Sequence, residues 1–237
     1  NKKELNVLHE NSFIDDPSRI IRGLKFSIRF NFNLGEKTRI LQDNYLKNVN
    51  YDISYHRIKK ELKETFSINN MEVLNRFINQ KIYKLLGENV VAPKNYNNIA
   101  DLIKKYSPNF AYMIYLALFD LKNFELTTEE RLILDEYSKI KSLSANNDYD
   151  IYKMFNNIPL ESVLAYALSK DIDIVNRYLT NLKDIHIKIT GEDLKTLGIK
   201  QGKIYKDIFD FILKEKIQNP KLSKKEEIEL VKKMFNN

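Results

Sequence analysis

Apolar residues recur along most of the chain at spacings of three and four, the period of an amphipathic α-helix, while period-two alternation is scarce. Six glycines and five prolines leave few points at which helices must break. The pattern predicts helices over about 17–32, 37–48, 54–67, 71–86, 97–106, 111–122, 128–142, 149–156, 160–169, 172–183, 191–197, 201–216 and 223–235. The end of a strand is expected before them, at Leu5 to Leu8. Several starts have a mechanism. Asp16 is a good N-cap, and Pro17 suits the first helical position. Thr127 or Thr128 precedes Glu129 and Glu130, Thr190 has capping-box spacing to Asp193, and Ser223 has it to Glu226. Short helices joined by shorter loops point to stacked helical pairs, an all-α class, rather than one long coiled coil. No fixed-period repeat is present, and Ser142 to Asp148 is the best candidate for a flexible joint.

Composition changes this picture only in part. A 43% hydrophobic content supplies a core, and 30% charged residues argue for a soluble surface. The longest apolar stretch, Phe110 to Phe119, is about half the ~20 residues a membrane span needs, so a buried helix is expected there and no membrane partner. No signal peptide is evident, a cytoplasmic setting is expected, and the opening Asn1-Lys2-Lys3-Glu4 reads as a cut inside a longer protein. The absence of cysteine excludes disulfides and thiolate metal sites, and His9, His56 and His186 lack ligand spacing. A net charge of +7 favours a polyanionic partner, nucleic acid before membrane, although an AT-rich genome would equally account for the abundant lysine, asparagine and isoleucine.

The first long helix carries the most chemistry. On a wheel of about 100° per residue, Ile20, Ile21, Leu24 and Ile28 cluster on one arc. Arg19, Arg22, Lys25 and Arg29 fall opposite, with Phe26 and Phe30 at the margin. Such a helix can pack on a body and face a polyanion, or can merely show a solvated basic face. Asp16 offers carboxylate acceptors and Arg19, one turn on, a planar fork of donors. An acceptor beside a donor suits the Watson–Crick edge of cytosine or adenine. The same pair also fits a helix cap and a local ion pair, and the local chemistry leaves both readings open.

The run Leu8-His9-Glu10-Asn11-Ser12-Phe13-Ile14-Asp15-Asp16-Pro17-Ser18-Arg19-Ile20-Ile21-Arg22-Gly23-Leu24-Lys25-Phe26-Ser27-Ile28-Arg29-Phe30 closely resembles a segment of the class II tRNA nucleotidyltransferases, a family that includes bacterial poly(A) polymerases. There an acidic-Asp-x-x-Arg motif opens a helix, and its Asp and Arg select CTP or ATP. The matching positions are Asp15, Asp16 and Arg19. Asp15 replaces the usual Glu, and Lys25 stands where Arg is frequent. A second stretch, Ile189-Thr190-Gly191-Glu192-Asp193-Leu194-Lys195-Thr196-Leu197-Gly198-Ile199-Lys200-Gln201-Gly202, resembles the family's tail, with Lys203 in place of a common proline.

The resemblance implies a helical neck, body and tail that hold tRNA, with a remnant of an α/β catalytic head over 1–16, a neck over 17–90, a body over 91–185 and a tail over 186–237. It implies base selection by Asp16 and Arg19, support from Asp15 and a phosphate or motif-support role for Arg22. The parent enzyme would add CMP and AMP, or AMP alone, to RNA 3′ ends from CTP and ATP, using Mg2+ in its head. Two-metal nucleotidyl transfer requires paired carboxylates, which the family supplies as Asp-x-Asp after a Gly-rich turn. Asp148-Tyr149-Asp150 and Asp171-Ile172-Asp173 follow no such turn and are assigned to helix starts, so the piece is expected to be inactive alone. Gly198-Ile199-Lys200-Gln201-Gly202-Lys203-Ile204 departs from a phosphate loop in spacing and in lacking Ser/Thr. Its Lys200 and Lys203, with Lys206, remain candidates for RNA phosphates. Two alternatives stand beside this reading: a freestanding RNA-binding helical module, and a helical protein-interaction scaffold.

Overall fold

A computed structural model describes residues 3–68 and 71–235. The fold is mostly helical. Its elements in chain order are β1 (Glu4–Leu5), α1 (Ser12–Asp15), α2 (Ser18–Arg29), β2 (Asn33–Leu34), α3 (Glu36–Lys47), α4 (Tyr55–Phe66), α5 (Met71–Asn79), α6 (Ala100–Tyr106), α7 (Ala111–Leu116), α8 (Thr128–Ile140), α9 (Asp148–Phe155), α10 (Leu160–Ser169), α11 (Ile172–Arg177), α12 (Gly191–Thr196), α13 (Lys203–Gln218) and α14 (Lys224–Phe235). The strand expected to reach Leu8 stops at Leu5, where β1 pairs in parallel with β2. Beyond it the Val7 N–H donates to Thr38 Oγ1 at 3.0 Å, and Leu8 is 97% exposed, so no further ladder forms.

Helix α2 ends three residues earlier than its apolar pattern suggests, and the backbone gives the reason. Asn31 takes a left-handed conformation, φ 53°. The Phe32 N–H reaches back to Ser27 O at 2.9 Å and the Asn31 N–H to Ile28 O at 3.3 Å. This is a Schellman closure with asparagine in the place usually taken by glycine. Likewise, the continuous helix expected over 71–86 is broken by Lys81 at φ 59°, and a 3-10 turn over Ile82–Leu86 follows. Ile82, Leu85 and Leu86 are all fully buried, which the broken path allows. The helix expected over 172–183 gives way to a π-helical turn at Tyr178–Leu182. That expected over 111–122 stops at Leu116.

Contacts divide the chain into two compact units. The first combines the segment up to Ser142 with Ile158–Ile172; the second combines Leu143–Asn157 with the segment from Asp173 onward. In the first, α2 packs on α4 and α5, α4 on α7, and α10 on α7 and α8. Phe66 lies at the centre, stacked on Tyr115 at 5.4 Å and edge-on to Phe77 at 5.2 Å. All of Ala111–Leu116 is buried, as is α10 from Glu161 through Leu168. Among the described residues no helix is long and apolar enough to cross a membrane.

In the second unit, Ile189, Leu194, Ile208, Ile212 and Val231 form the core around α12, α13 and α14. Glu227, fully buried, accepts the Lys188 and Ile189 N–H groups at 2.7 and 2.8 Å and pairs with Lys216 at 2.9 Å. The capping box expected at Thr190–Asp193 forms with both reciprocal bonds, and at the helix start expected near Thr127 or Thr128 a full box forms between Thr127 and Glu130. Ser223 and Glu226 bond reciprocally in the same way.

Candidate functional site

The site grows from the junction between α1 and α2. Asp16 leaves α1 in an extended conformation, and Pro17 turns the chain into α2. The Asp16 Oδ1 accepts the Ser18 N–H at 3.1 Å and the Ser18 hydroxyl at 2.6 Å. This satisfies a free donor at the helix start and holds the carboxylate in one orientation. Its other oxygen, Oδ2, lies 3.7 Å from Arg57 Nη1 on α4. The Asp16 side chain is 17% exposed and that of Arg57 67%, so a fixed acceptor sits beneath a solvated guanidinium.

Arg19 is half-buried and aims elsewhere: its Nη1 donates to Ser12 O at 3.0 Å, tying α2 back to α1. Asp15 is exposed and lies 3.6 Å from His9 Nε2. A cleft of about 130 Å³ opens beside Asp16, lined by Asp15, Tyr45, Asn50, Ser54 and Arg57 among others. The residues that meet Asp16 are therefore Ser18 and Arg57. Arg57 escapes a sequence reading because it comes from a helix far along the chain; only the Ser54 cap of α4, which accepts the Arg57 N–H, is legible locally.

Arg22 donates through Nε and Nη2 to Glu61 Oε1, at 2.8 and 2.5 Å. Lys25 donates to Glu61 Oε2 at 2.8 Å and to Glu64 Oε2 at 2.6 Å. Lys25 is thus no part of an exposed basic front; it is 9% exposed and clamped between α2 and α4. Burial alone would raise the Glu61 pKa, but the bonds from Arg22 and Lys25 outweigh it and hold the carboxyl below its ordinary value. The Arg22 guanidinium is held above its own ordinary value mainly by its bond to Glu61. This network fixes α2, and with it Asp16, against α4. Arg22 keeps 47% of its side chain exposed.

The remaining candidates lie in the second unit. Lys200, Lys203 and Lys206 are exposed, on the turn before α13 and along its first turn. Gly198 in that turn adopts φ 77°, which explains a glycine there without a phosphate loop. Asp148 and Asp150 occupy the first turn of α9, where Asn147 caps the Asp150 N–H and Asp148 pairs with Arg177. Asp173 lies in the first turn of α11. These positions do not fit a magnesium pair, and among the described residues no group of three or more His, Asp or Glu side chains is placed to hold a metal ion.

No family model matches the chain. It is 24% identical to the A-adding tRNA nucleotidyltransferase of Halalkalibacterium halodurans over 98% of its own length and 60% of that protein's. It is 25% identical to the A-adding tRNA nucleotidyltransferase of Geobacter sulfurreducens over 100% of its length and 31% of that protein's. The chain is similar to A-adding tRNA nucleotidyltransferases. It spans 60% and 31% of the length of those two curated relatives, less than two thirds of each. Among solved structures, the Thermotoga maritima CCA-adding enzyme complexed with tRNA matches 99% of this chain and 65% of its own, with a TM-score of 0.71 at 21% identity. A CCA-adding enzyme in complex with ATP matches 100% of this chain and 64% of its own, again with a TM-score of 0.71 at 21% identity. The chain therefore shares its fold with about two thirds of each of those two CCA-adding enzyme chains.

Proposed function

We propose that the chain is the RNA-binding helical portion of an enzyme that adds CMP or AMP to the 3′ ends of tRNA from CTP and ATP, with Asp16 at the base-selecting position. The observation that supports it most directly is the held Asp16 carboxylate. One oxygen is saturated by Ser18; the other faces Arg57 at the edge of a cleft. A carboxylate immobilised in this way accepts an amino group, such as that of cytosine or adenine, without reorganising, and an adjacent guanidinium donates to a neighbouring ring nitrogen or carbonyl. Arg19 braces the turn between α1 and α2 through Ser12 and stands one turn from Asp16, within the reach of a rotamer change. Nucleotidyl transfer itself requires divalent ions, which Mg2+ held by residues outside this set would supply.

The test joins the chain to a catalytic head of the family and compares Arg19→Ala with the unsubstituted protein. The expected result is a loss of discrimination among nucleoside triphosphates of about tenfold or more, from a bidentate contact of about 1–3 kcal/mol, with RNA affinity nearly unchanged. Weaker RNA binding with discrimination among nucleoside triphosphates intact would remove Arg19 from base selection. Binding of the chain alone to tRNA lacking its CCA end, against an unrelated RNA duplex, tests the RNA-binding half. Salt-sensitive preference for tRNA supports it; absence of binding at low salt overturns it.

A further inference from the structure

We infer that the outward face of α4 carries the phosphate backbone of an RNA strand that leads to the Asp16 cleft; this rests on the RNA-binding reading above. Helix α4 has three faces. Ile58, Leu62, Thr65 and Phe66 are buried in the first unit's core, and Arg57, Glu61 and Glu64 point toward α2 and Asp16. What remains at helical spacing is His56, Lys60 and Lys63, all exposed. Lys60 and Lys63 form no ion pair among the described residues, and Lys63 lies 5.4 Å over the Tyr112 ring. Lys59, by contrast, is already held by Glu130 Oε2 and Glu125 O, each at 2.5 Å.

These side chains form one wall of an open groove of about 680 Å³ whose other wall is built from Asn123, Glu125, Leu126, Thr127 and Glu130. The groove shares Tyr55 and Asn123 with a second hollow of about 390 Å³ that adds Tyr51 and Lys122. Ser54 and Arg57, on the same first turn of α4, line the Asp16 cleft. The Asp16 cleft shares no lining residue with either hollow, but its Asn50, Asp52 and Ser54 alternate along the chain with Tyr51 and Tyr55 of the other two, at the start of α4. Their chemistry alternates as a single strand requires: ammonium groups in a row for phosphates, then tyrosine rings and a side-chain amide for a base.

The buried acid of the groove does not cancel this: Glu130 is 2% exposed and bonded to Lys59, Tyr112 and the Thr127 N–H. Exposed Glu125 stands on the facing wall, and in the second hollow Asp120 pairs with Lys122 beside exposed Glu88. A row of unpaired lysines leading away from a base-sized cleft suits an extended polyanion better than a compact one, whose charge would call for converging donors.

The experiment compares the unsubstituted chain with a Lys60→Gln/Lys63→Gln variant and a Lys232→Gln/Lys233→Gln variant of equal net charge. The probe is a tRNA transcript lacking its terminal CCA, titrated across salt. The expected result is several-fold weaker binding by the first variant, with the slope of log affinity against log salt shallower by about 1.4, from about 0.7 per phosphate on a single strand. The second variant is expected to keep the original slope. Thermal melting of both variants serves as the fold control. If the Lys60/Lys63 variant binds with unchanged affinity and slope, the α4 track is overturned while the RNA-binding reading stands. If the unsubstituted chain binds no RNA, both are overturned.

Discussion

Glu61 shows how a single side chain can hold a site it never touches. It is 5% exposed and receives Arg22 and Lys25 on separate oxygens. Removing Glu61 leaves buried Lys25 with Glu64 alone and returns Arg22 to solvent, so the loss is that of charge-assisted bonds rather than of a wholly unpaired charge. Glu61→Ala is therefore expected to cost about 1–3 kcal/mol in chemical denaturation, and Glu61→Leu combined with Lys25→Met to recover most of that loss. A double variant as unstable as the single one would show that the network, and not the under-paired lysine, is decisive. Lys25 also shows the limit of a helical wheel. It stands only about 40° round from Ile21, at the margin where burial depends on the partner. That partner, Glu61, belongs to another helix and is invisible to local periodicity. Asp16 was legible as a cap because the Ser18 donor is two residues away; its neighbour Arg57 was not.

Helix starts could be read from the sequence far better than helix ends. A start declares itself through short-range chemistry, as at Thr127–Glu130 and Thr190–Asp193, where both bonds span three residues. The ends of α2 and α5 carry no glycine. Asn31 and Lys81 take left-handed φ values there, as Ser107 does after α6, and such residues rarely announce that conformation. The α12 box also makes a pH prediction. Bonds from Lys224 and then Thr190 lower the Asp193 pKa from 3.8 to about 2. A depressed carboxylate stabilises the folded state above its unfolded pKa, and that contribution is lost as pH falls through the folded value. The protection of α12 amides, measured against their intrinsic exchange rate, is therefore expected to fall between about pH 4 and pH 2. In Asp193→Asn the step should be absent, with lower protection already at neutral pH. A step of the same size in the variant would assign it to another group.

At the scale of the whole molecule, the helical class and most helix positions follow from periodicity, whereas the grouping of helices does not. Contact between α10 and both α7 and α8 joins segments separated by α9, which belongs to the other unit. Nothing in the linear pattern marks that exchange except the polar stretch after Ser142, where the first crossing falls. A chain ending at Ser142 would leave uncovered the surfaces of α7 and α8 on which Val163, Leu164, Ala165 and Leu168 pack. Such a truncation is expected to aggregate or to lose its cooperative melt, and a chain ending at Ile172 to retain that melt in the first unit. Equal behaviour of the two would show that α10 is dispensable.

The same interleaving sets an order of events during synthesis. Residues 143–157 leave the ribosome before the helix that completes the first unit and well before the C-terminal helices they themselves join. For that interval α9 has no partner in its own unit and exposes Ile151, Tyr152, Met154 and Phe155, side chains that the finished protein hides. The nascent chain therefore carries a sticky segment in mid-sequence for as long as it takes to translate the last third of the molecule, the window in which a holdase chaperone would find its substrate.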